Sequence, residues 1–107
     1  MANFKIKQND TAPSLNVTLA MDGVAAVLTG AAISFHMKDD INDTVLVNGT
    51  AVVVNATLGT VRYDWVAADT ALAGCFPAEF EATFTDDTIE SFPNDENLTI
   101  IITEDLS

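Results

Sequence analysis

The chain has 107 residues, which is enough for one modest hydrophobic core, so a single domain spanning residues 1–107 is predicted. Nearly half of the residues (49%) are apolar, and 16 acidic residues against 4 basic ones give a formal net charge of -12. Such a surface repels phosphate backbones and anionic lipid headgroups, which argues against nucleic-acid and membrane partners.

The N-terminal third reads as short strands in which apolar and polar residues alternate. Phe4 and Ile6 alternate with Lys5 and Lys7, which is typical of an edge strand whose lysines face outward. Further strands with the same alternation are predicted over residues 15–20 and 31–38, and a short apolar strand is predicted over residues 24–28.

The middle of the chain continues this pattern after an acidic loop that contains Asp39, Asp40 and Asp43. Two strands, 44–47 and 51–56, flank Asn48-Gly49, a pair that favours a tight hairpin turn. This segment is therefore predicted to be a β-hairpin.

The segment 60–84 is expected to form the centre of the core. Val61, Tyr63 and Trp65 share one parity, and alternate residues from Phe76 to Phe84 share another, so two half-buried strands are predicted. The link 66–74 between them is too short and too weakly periodic for a stable helix, and we expect it to carry the chain from one sheet to another.

The C-terminal part contains a tight turn at 85–88, a strand at 89–92, a break at 93–96 and a last strand at 98–103. The near-continuous apolar run of this last strand predicts either burial on both faces or docking to a neighbour. About eight strands, separated by frequent turn signals, predict an all-β fold of the sandwich type. The residues expected at the core are Val17, Phe35, Tyr63, Trp65, Phe80 and Phe84.

The first and last strands are the predicted interaction surfaces, because free strand ends can pair with another chain. The candidate residues are Phe4, Lys5, Ile6, Lys7, Leu98, Ile100 and Ile102. All four basic residues lie within the first 62 positions, so Lys5 and Lys7 could meet the acidic half of another copy, head to tail.

Catalysis finds little support in the residues present. His36, the only histidine, lies on the polar parity of its strand, and no nucleophile-elbow motif is present. Glu79 and Glu81 lie opposite an apolar face and are expected to face solvent. Cys75, the single cysteine, is expected to be a packing residue. Nucleotide-binding motifs are also missing, so no cofactor is predicted and the protein is not expected to be an enzyme.

Calcium is the more plausible ion, because carboxylate oxygens suit it. The candidate ligands are Asp39, Asp40, Asp43, Asp86 and Asp87, although solvated acidic loops explain the same residues more simply. An alternative function is therefore a carbohydrate- or host-surface-binding module that uses calcium. A thermal melt with and without calcium separates the two interpretations.

The N-terminus has no apolar signal core, and no stretch approaches the ~18 apolar residues that a membrane span requires. Synthesis in a cytoplasm is therefore expected.

Six segments together resemble the immunoglobulin-like domain at the N-terminus of tailed-phage baseplate upper proteins. They are I-K-Q-N-D-T-A-P-S-L (6–15), L-T-G-A-A-I-S-F-H-M-K (28–38), V-R-Y-D-W (61–65), A-A-D-T-A-L-A-G (67–74), A-E-F-E (78–81) and I-E-S-F-P-N-D (89–95).

The resemblance implies an immunoglobulin-like antiparallel β-sandwich of about eight strands in a virion, made in the cytoplasm of the host bacterium. It also implies a non-enzymatic structural module that attaches to a tail, baseplate, neck or capsid. Its expected partners are other virion proteins and copies of itself, in a homo-oligomer or symmetric array.

Overall fold

The structure is a computed structural model that describes residues 3–21, 24–39, 41–92 and 98–104. Within these ranges the chain forms ten strands and one short 3-10 helix. They are β1 (Asn3–Lys7), β2 (Leu15–Thr18), β3 (Ala20–Met21), β4 (Val24–Ala25), β5 (Ala32–Asp39), β6 (Thr44–Asn55), β7 (Thr60–Tyr63), the 3-10 helix (Ala67–Thr70), β8 (Gly74–Thr83), β9 (Ile89–Phe92) and β10 (Leu98–Thr103). No helix in the described ranges is long and apolar enough to cross a membrane.

The strands follow one hydrogen-bonded path in the order β1-β10-β8-β5-β6-β7-β2, with β9 also paired to β8. The long strand β6 belongs to two sheets: its first part pairs with β5 and its second part pairs with β7. The path therefore folds over on itself, and the predicted all-β sandwich is confirmed. One pair departs from the predicted antiparallel arrangement, because β1 runs parallel to β10.

The core lies between the two sheets because alternate side chains of each strand point inward. Along β8 every second residue from Phe76 to Ala82 is buried, as is every second residue of β5 from Ile33 to Met37. The central ring is Phe35, which is fully buried. Its ring centroid lies 4.6 Å from that of Tyr63, 5.0 Å from that of Phe80 and 5.5 Å from that of Trp65.

Two of the expected core residues lie at its margin. Val17 and Phe84 are half-buried against the core, whereas Phe35, Tyr63, Trp65 and Phe80 lie inside it. Phe84 follows the last residue of β8 and begins the turn to β9, where its backbone bonds Thr88. It therefore sits where the sandwich opens to solvent.

The link from β7 to β8 crosses between the sheets, as its short length predicts. Its 3-10 turn is held by hydrogen bonds to the segment after β1. Thr70, a fully buried residue, donates its hydroxyl hydrogen to the Asp10 carbonyl (2.9 Å) and accepts a bond from the Asn9 backbone (3.0 Å). The Gln8 side chain adds a bond to the Ala71 carbonyl (2.8 Å).

The hairpin predicted at Asn48-Gly49 is wrong, because β6 runs straight through these residues. A tight hairpin turn of this type needs positive φ at its central positions, and neither residue has it. Gly49 is instead required by packing. A Cβ atom there would lie 2.8 Å from Cε1 of Tyr63 and 3.0 Å from its hydroxyl oxygen.

We expect Gly49→Ala to destabilise the fold by about 1–3 kcal/mol, the usual effect of overpacking a well-filled core. The Tyr63 ring cannot easily move away, because it is buried against Phe35. Urea denaturation would measure the loss. Thr50→Ala, at the exposed neighbouring residue, is the control and should change stability by less than about 0.5 kcal/mol. An unchanged or higher stability for Gly49→Ala would refute this packing role.

Candidate interaction surfaces

The first strand is an edge of the sandwich with two contrasting faces. Lys5 and Lys7 are exposed on the outer face, whereas Ile6 is buried. Phe4 is half-buried, and its ring stacks on Trp65 at a centroid distance of 5.8 Å. The lysine face of β1 is therefore open to a partner.

The last strand is not free to pair with another chain. It lies between β1 and β8 and makes backbone ladders with both of them. Leu98, Ile100 and Ile102 point into the core, with 4% or less of their surface exposed. The sequence predicts these three residues and Ile6 at an interface. The structure places all four in the core, because their side chains lie on the strand faces that point toward the opposite sheet.

The acidic loop after β5 is held by its own hydrogen bonds. Asp39 is buried rather than exposed. Its Oδ2 accepts a bond from the Asn42 side chain (2.8 Å), and its Oδ1 accepts bonds from the backbone amides of Ile41 and Asn42. These bonds, led by the Asn42 side chain, lower the pKa of Asp39. Asp39 therefore closes a turn.

Two other acids of this loop differ in what the structure shows of them. Asp43 is exposed and pairs with Lys38, whose hydrogen bond and positive charge lower the pKa of the carboxyl group. Asp40 lies outside the described residues. The loop thus brings one buried and one paired carboxylate near each other.

The second acidic turn, between β8 and β9, is similarly self-contained. Oδ1 of Asp86 accepts bonds from the Thr88 hydroxyl (2.6 Å) and the Thr88 amide (3.2 Å). These bonds, of which the bond from the Thr88 hydroxyl has the largest effect, lower the pKa of Asp86. Asp87 is exposed and has a φ of 69°, as a tight turn requires. Across the described ranges, no three acidic, histidine or cysteine side chains are grouped as metal ligands.

We expect calcium to leave the unfolding temperature unchanged within about 1 °C, because the carboxylates of Asp39, Asp43 and Asp86 already have protein partners. Differential scanning fluorimetry in millimolar calcium, against the same protein in chelator, measures this. Magnesium at equal concentration is the control for ionic strength. A rise of several degrees specific to calcium would contradict the expectation.

Three polar side chains, His36, Glu79 and Glu81, lie on the outer face of the sheet that contains β5 and β8. His36 is opposite Asn48 on β6 and Glu79 on β8, and Nδ1 of His36 is 4.0 Å from a Glu79 carboxylate oxygen. Glu81 lies opposite Ser34 in the next row. An open depression of about 450 Å³ is bordered by His36, Lys38 and Glu79. Its described lining contains no phenylalanine, tyrosine or tryptophan ring on which a sugar could stack.

A groove at one end of the sandwich was not predicted. This end groove, of about 550 Å³, lies between the residues around β4 and the β8–β9 hairpin. Its lining is about half apolar and half polar. Val24 and Val27, two of its apolar residues, are 70% and 62% exposed. The sequence does not predict it, because the apolar run 24–28 indicates a short strand, whereas β4 has only two residues. The residues that define it are Val24, Val27, Phe84, Asp86, Glu90 and Phe92.

The described residues hold one further buried polar contact, between Tyr63 and the 3-10 turn. The Tyr63 hydroxyl donates a 2.6 Å bond to Oδ2 of Asp69, and the same oxygen accepts the Val66 amide at 3.0 Å. The pKa of Tyr63 is raised well above its usual range, mainly because the phenol is buried and also because it is bonded to the Asp69 carboxylate. This contact holds the segment between β7 and β8 in place, so its role is structural.

Comparison with known proteins shows which fold the structure shares and to which family the sequence belongs. The chain superposes over its full length on CopC from Methylosinus trichosporium OB3b, covering 89% of that chain with a TM-score of 0.56 and 12% identity, which shows a shared fold alone. No curated protein matches the sequence significantly. Residues 1–106 match the sequence profile of the BppU N-terminal domain. The chain therefore belongs to the family of baseplate upper protein N-terminal domains, which are structural domains of phage baseplates.

Proposed function

We propose that this chain is a non-enzymatic attachment module of a phage virion, and that it joins baseplate proteins to one another. The observation that carries the proposal is the family match, which spans residues 1–106. The baseplate is an assembly, so a domain of this family works by contact with other virion proteins. Attachment by copies of the chain itself is the second part of the proposal.

The polar contacts of the described residues support a structural role. Asp39, Asp69 and Thr70 each use their side chains to hold a turn or a chain crossing in place. A rigid sandwich of this kind suits attachment, because a surface that is already ordered loses little conformational entropy on binding. The family itself supports the absence of catalysis, since it is a structural domain.

The open surfaces supply the contacts. The lysine face of β1 and the end groove are both exposed, and they differ in chemistry, since one is cationic and the other is partly apolar with an acidic rim. A module with two unlike surfaces can contact two different neighbours in an assembly.

Fractionation of disrupted particles tests the proposal. Particles of the phage, or of the induced lysogen, that encodes the chain are dissociated, and heads, tails and baseplates are separated on a gradient. Mass spectrometry should find this chain enriched in the baseplate fraction, with the major capsid protein as a control confined to heads. Enrichment with heads, or absence from purified particles despite its presence in the lysate, would refute it.

The alternative of a calcium-dependent surface-binding module is proposed with less structural support. Three of its candidate ligands, Asp39, Asp43 and Asp86, have partners within the chain. The calcium experiment described above decides the ion requirement.

A further inference from the structure

The end groove has the chemistry of a site for lysine side chains. Val24, Val27 and Phe84 give it apolar wall surface beside the polar Thr85 and Thr88. Its rim carries Asp86 and Glu90, which are both exposed. A lysine has an aliphatic stem that packs on apolar surface and an ammonium group that seeks carboxylates. An apolar wall with an acidic rim satisfies both ends of such a side chain.

The groove is preformed by the packing of its turn. The Phe84 amide bonds the Thr88 carbonyl (2.9 Å), and the Asp87 amide bonds the Phe84 carbonyl (2.9 Å). The loop at Gly30 packs closely against the same turn, because a Cβ atom added to Gly30 would lie 2.8 Å from Cγ2 of Thr85. Asp86 is also anchored through its Oδ1 by Thr88. A ligand would therefore meet walls that are already in place.

The chain carries a matching pair of lysines on β1. Lys5 and Lys7 are two residues apart on a strand, so both side chains project from the same outer face. The other cations are engaged, because Lys38 pairs with Asp43 and Arg62 with Asp64. Within the described residues no ion pair joins Lys5 or Lys7 to an acid, which leaves them available to a partner.

These two features lie at opposite ends of β8. Lys5 is in register with Ile101, which is in register with Cys75 near the start of β8. The groove begins at Phe84, directly after the end of the same strand. Cys75 and Thr83 are eight residues apart, which corresponds to ~26 Å along a strand. Lys5 and Lys7 therefore cannot reach the end groove of the same molecule.

We propose that two copies of this domain join head to tail, with Lys5 and Lys7 of one copy seated in the end groove of the next. The lysine stems pack on Val24 and Val27, and the ammonium groups pair with Asp86 and Glu90. The contact is heterologous, so it can close a ring or continue as an array. This inference rests on the proposed attachment function and names one of its partners.

The overall charge opposes association only at low salt. Each copy carries a formal charge of -12, which repels another copy at long range. At about 0.15 M ionic strength the Debye length is about 8 Å, so distant charges are screened while close ion pairs persist. At about 1 M salt the Debye length falls to about 3 Å, and the contact itself should weaken.

Sedimentation equilibrium of the full chain tests the contact. At physiological salt we expect concentration-dependent association between micromolar and millimolar protein, reduced at molar salt. The double variant Lys5→Glu/Lys7→Glu should weaken self-association at least tenfold. Lys38→Glu/Arg62→Glu is the matched control, because it makes the same total charge change at two cations that already pair with Asp43 and Asp64, and it should associate like the wild type.

A second variant tests the end groove without disturbing the turn between β8 and β9. Asp86→Asn/Glu90→Lys keeps an oxygen acceptor for Thr88 while it reverses the charge of the rim. Alone it should also fail to associate, and mixed with Lys5→Glu/Lys7→Glu it should form mixed dimers, because the charges are again complementary. Circular dichroism confirms that each variant is folded.

A wild-type chain that stays monomeric at millimolar concentration would overturn the proposal, as would association that neither variant weakens. If the charge-reversed variants each abolish association but their mixture does not restore it, the paired contact is also wrong. None of these outcomes bears on recovery of the chain in the baseplate fraction, so the two proposals fail separately.

Discussion

Phe35→Ala is expected to lower the free energy of unfolding by about 3–5 kcal/mol, the range for removing a buried phenylalanine. Phe35 has no exposed surface, and its ring contacts Tyr63, Trp65 and Phe80. Those rings come from both sheets, so the cavity cannot collapse by moving one element. Small domains have about 5–15 kcal/mol of stability in total, so this variant should be close to unfolded at 37 °C.

Urea denaturation followed by Trp65 fluorescence measures the loss, since Trp65 is the only tryptophan. Phe84→Ala is the matched control, because the chemical change is identical but Phe84 is only half-buried at the margin of the core. It should cost less than half as much. Equal losses for the two variants would show that Phe35 is not the centre of the packing.

Tyr63→Phe is expected to cost about 1.5–3 kcal/mol, the range for a hydrogen bond to a charged acceptor. The variant keeps the ring and its stacking on Phe35, and it removes only the hydroxyl that donates to Asp69. Asp69→Ala removes the same bond from the other side, together with the bond that Asp69 accepts from the Val66 amide. The two losses should not add fully in the double variant, because both variants remove the bond between Tyr63 and Asp69. Full additivity would show that the bond contributes nothing.

The same contact predicts a loss of stability at alkaline pH. The pKa of Tyr63 is raised in the folded state, so the phenol loses its proton more readily in the unfolded chain, whose pKa is about 10. The stabilisation is fully present below that pH and is lost as pH rises above it. Tyr63 is the only tyrosine, so the ultraviolet absorbance of its phenolate reports it alone. Phenolate that appears in the folded domain near pH 10 would contradict this.

The central part of the fold could be predicted from the sequence because its signals are local. Alternation in 60–65 and 76–84 gave the two strands, and the weak periodicity of 66–74 gave a link between sheets. The structure adds the reason for that link: Asp69 braces Tyr63, and Thr70 bonds the segment after β1.

Other features could not be predicted because they depend on distant partners. Gly49 resembles a turn residue, but the Tyr63 ring from another strand requires a glycine there. Whether Leu98, Ile100 and Ile102 are buried in the domain or dock to a neighbour depends on the pairing of β10 between β1 and β8, which directs these side chains toward the opposite sheet. The end groove arises where β4 meets the β8–β9 hairpin, and no single segment signals that meeting.

The single measurement that tests the proposed attachment role most directly is electron microscopy of intact particles labelled with gold-conjugated antibody to this domain. The proposal predicts label concentrated at the distal end of the tail, at the baseplate, with unlabelled heads. Label on the capsid or at the neck, or particles that carry none, would contradict it.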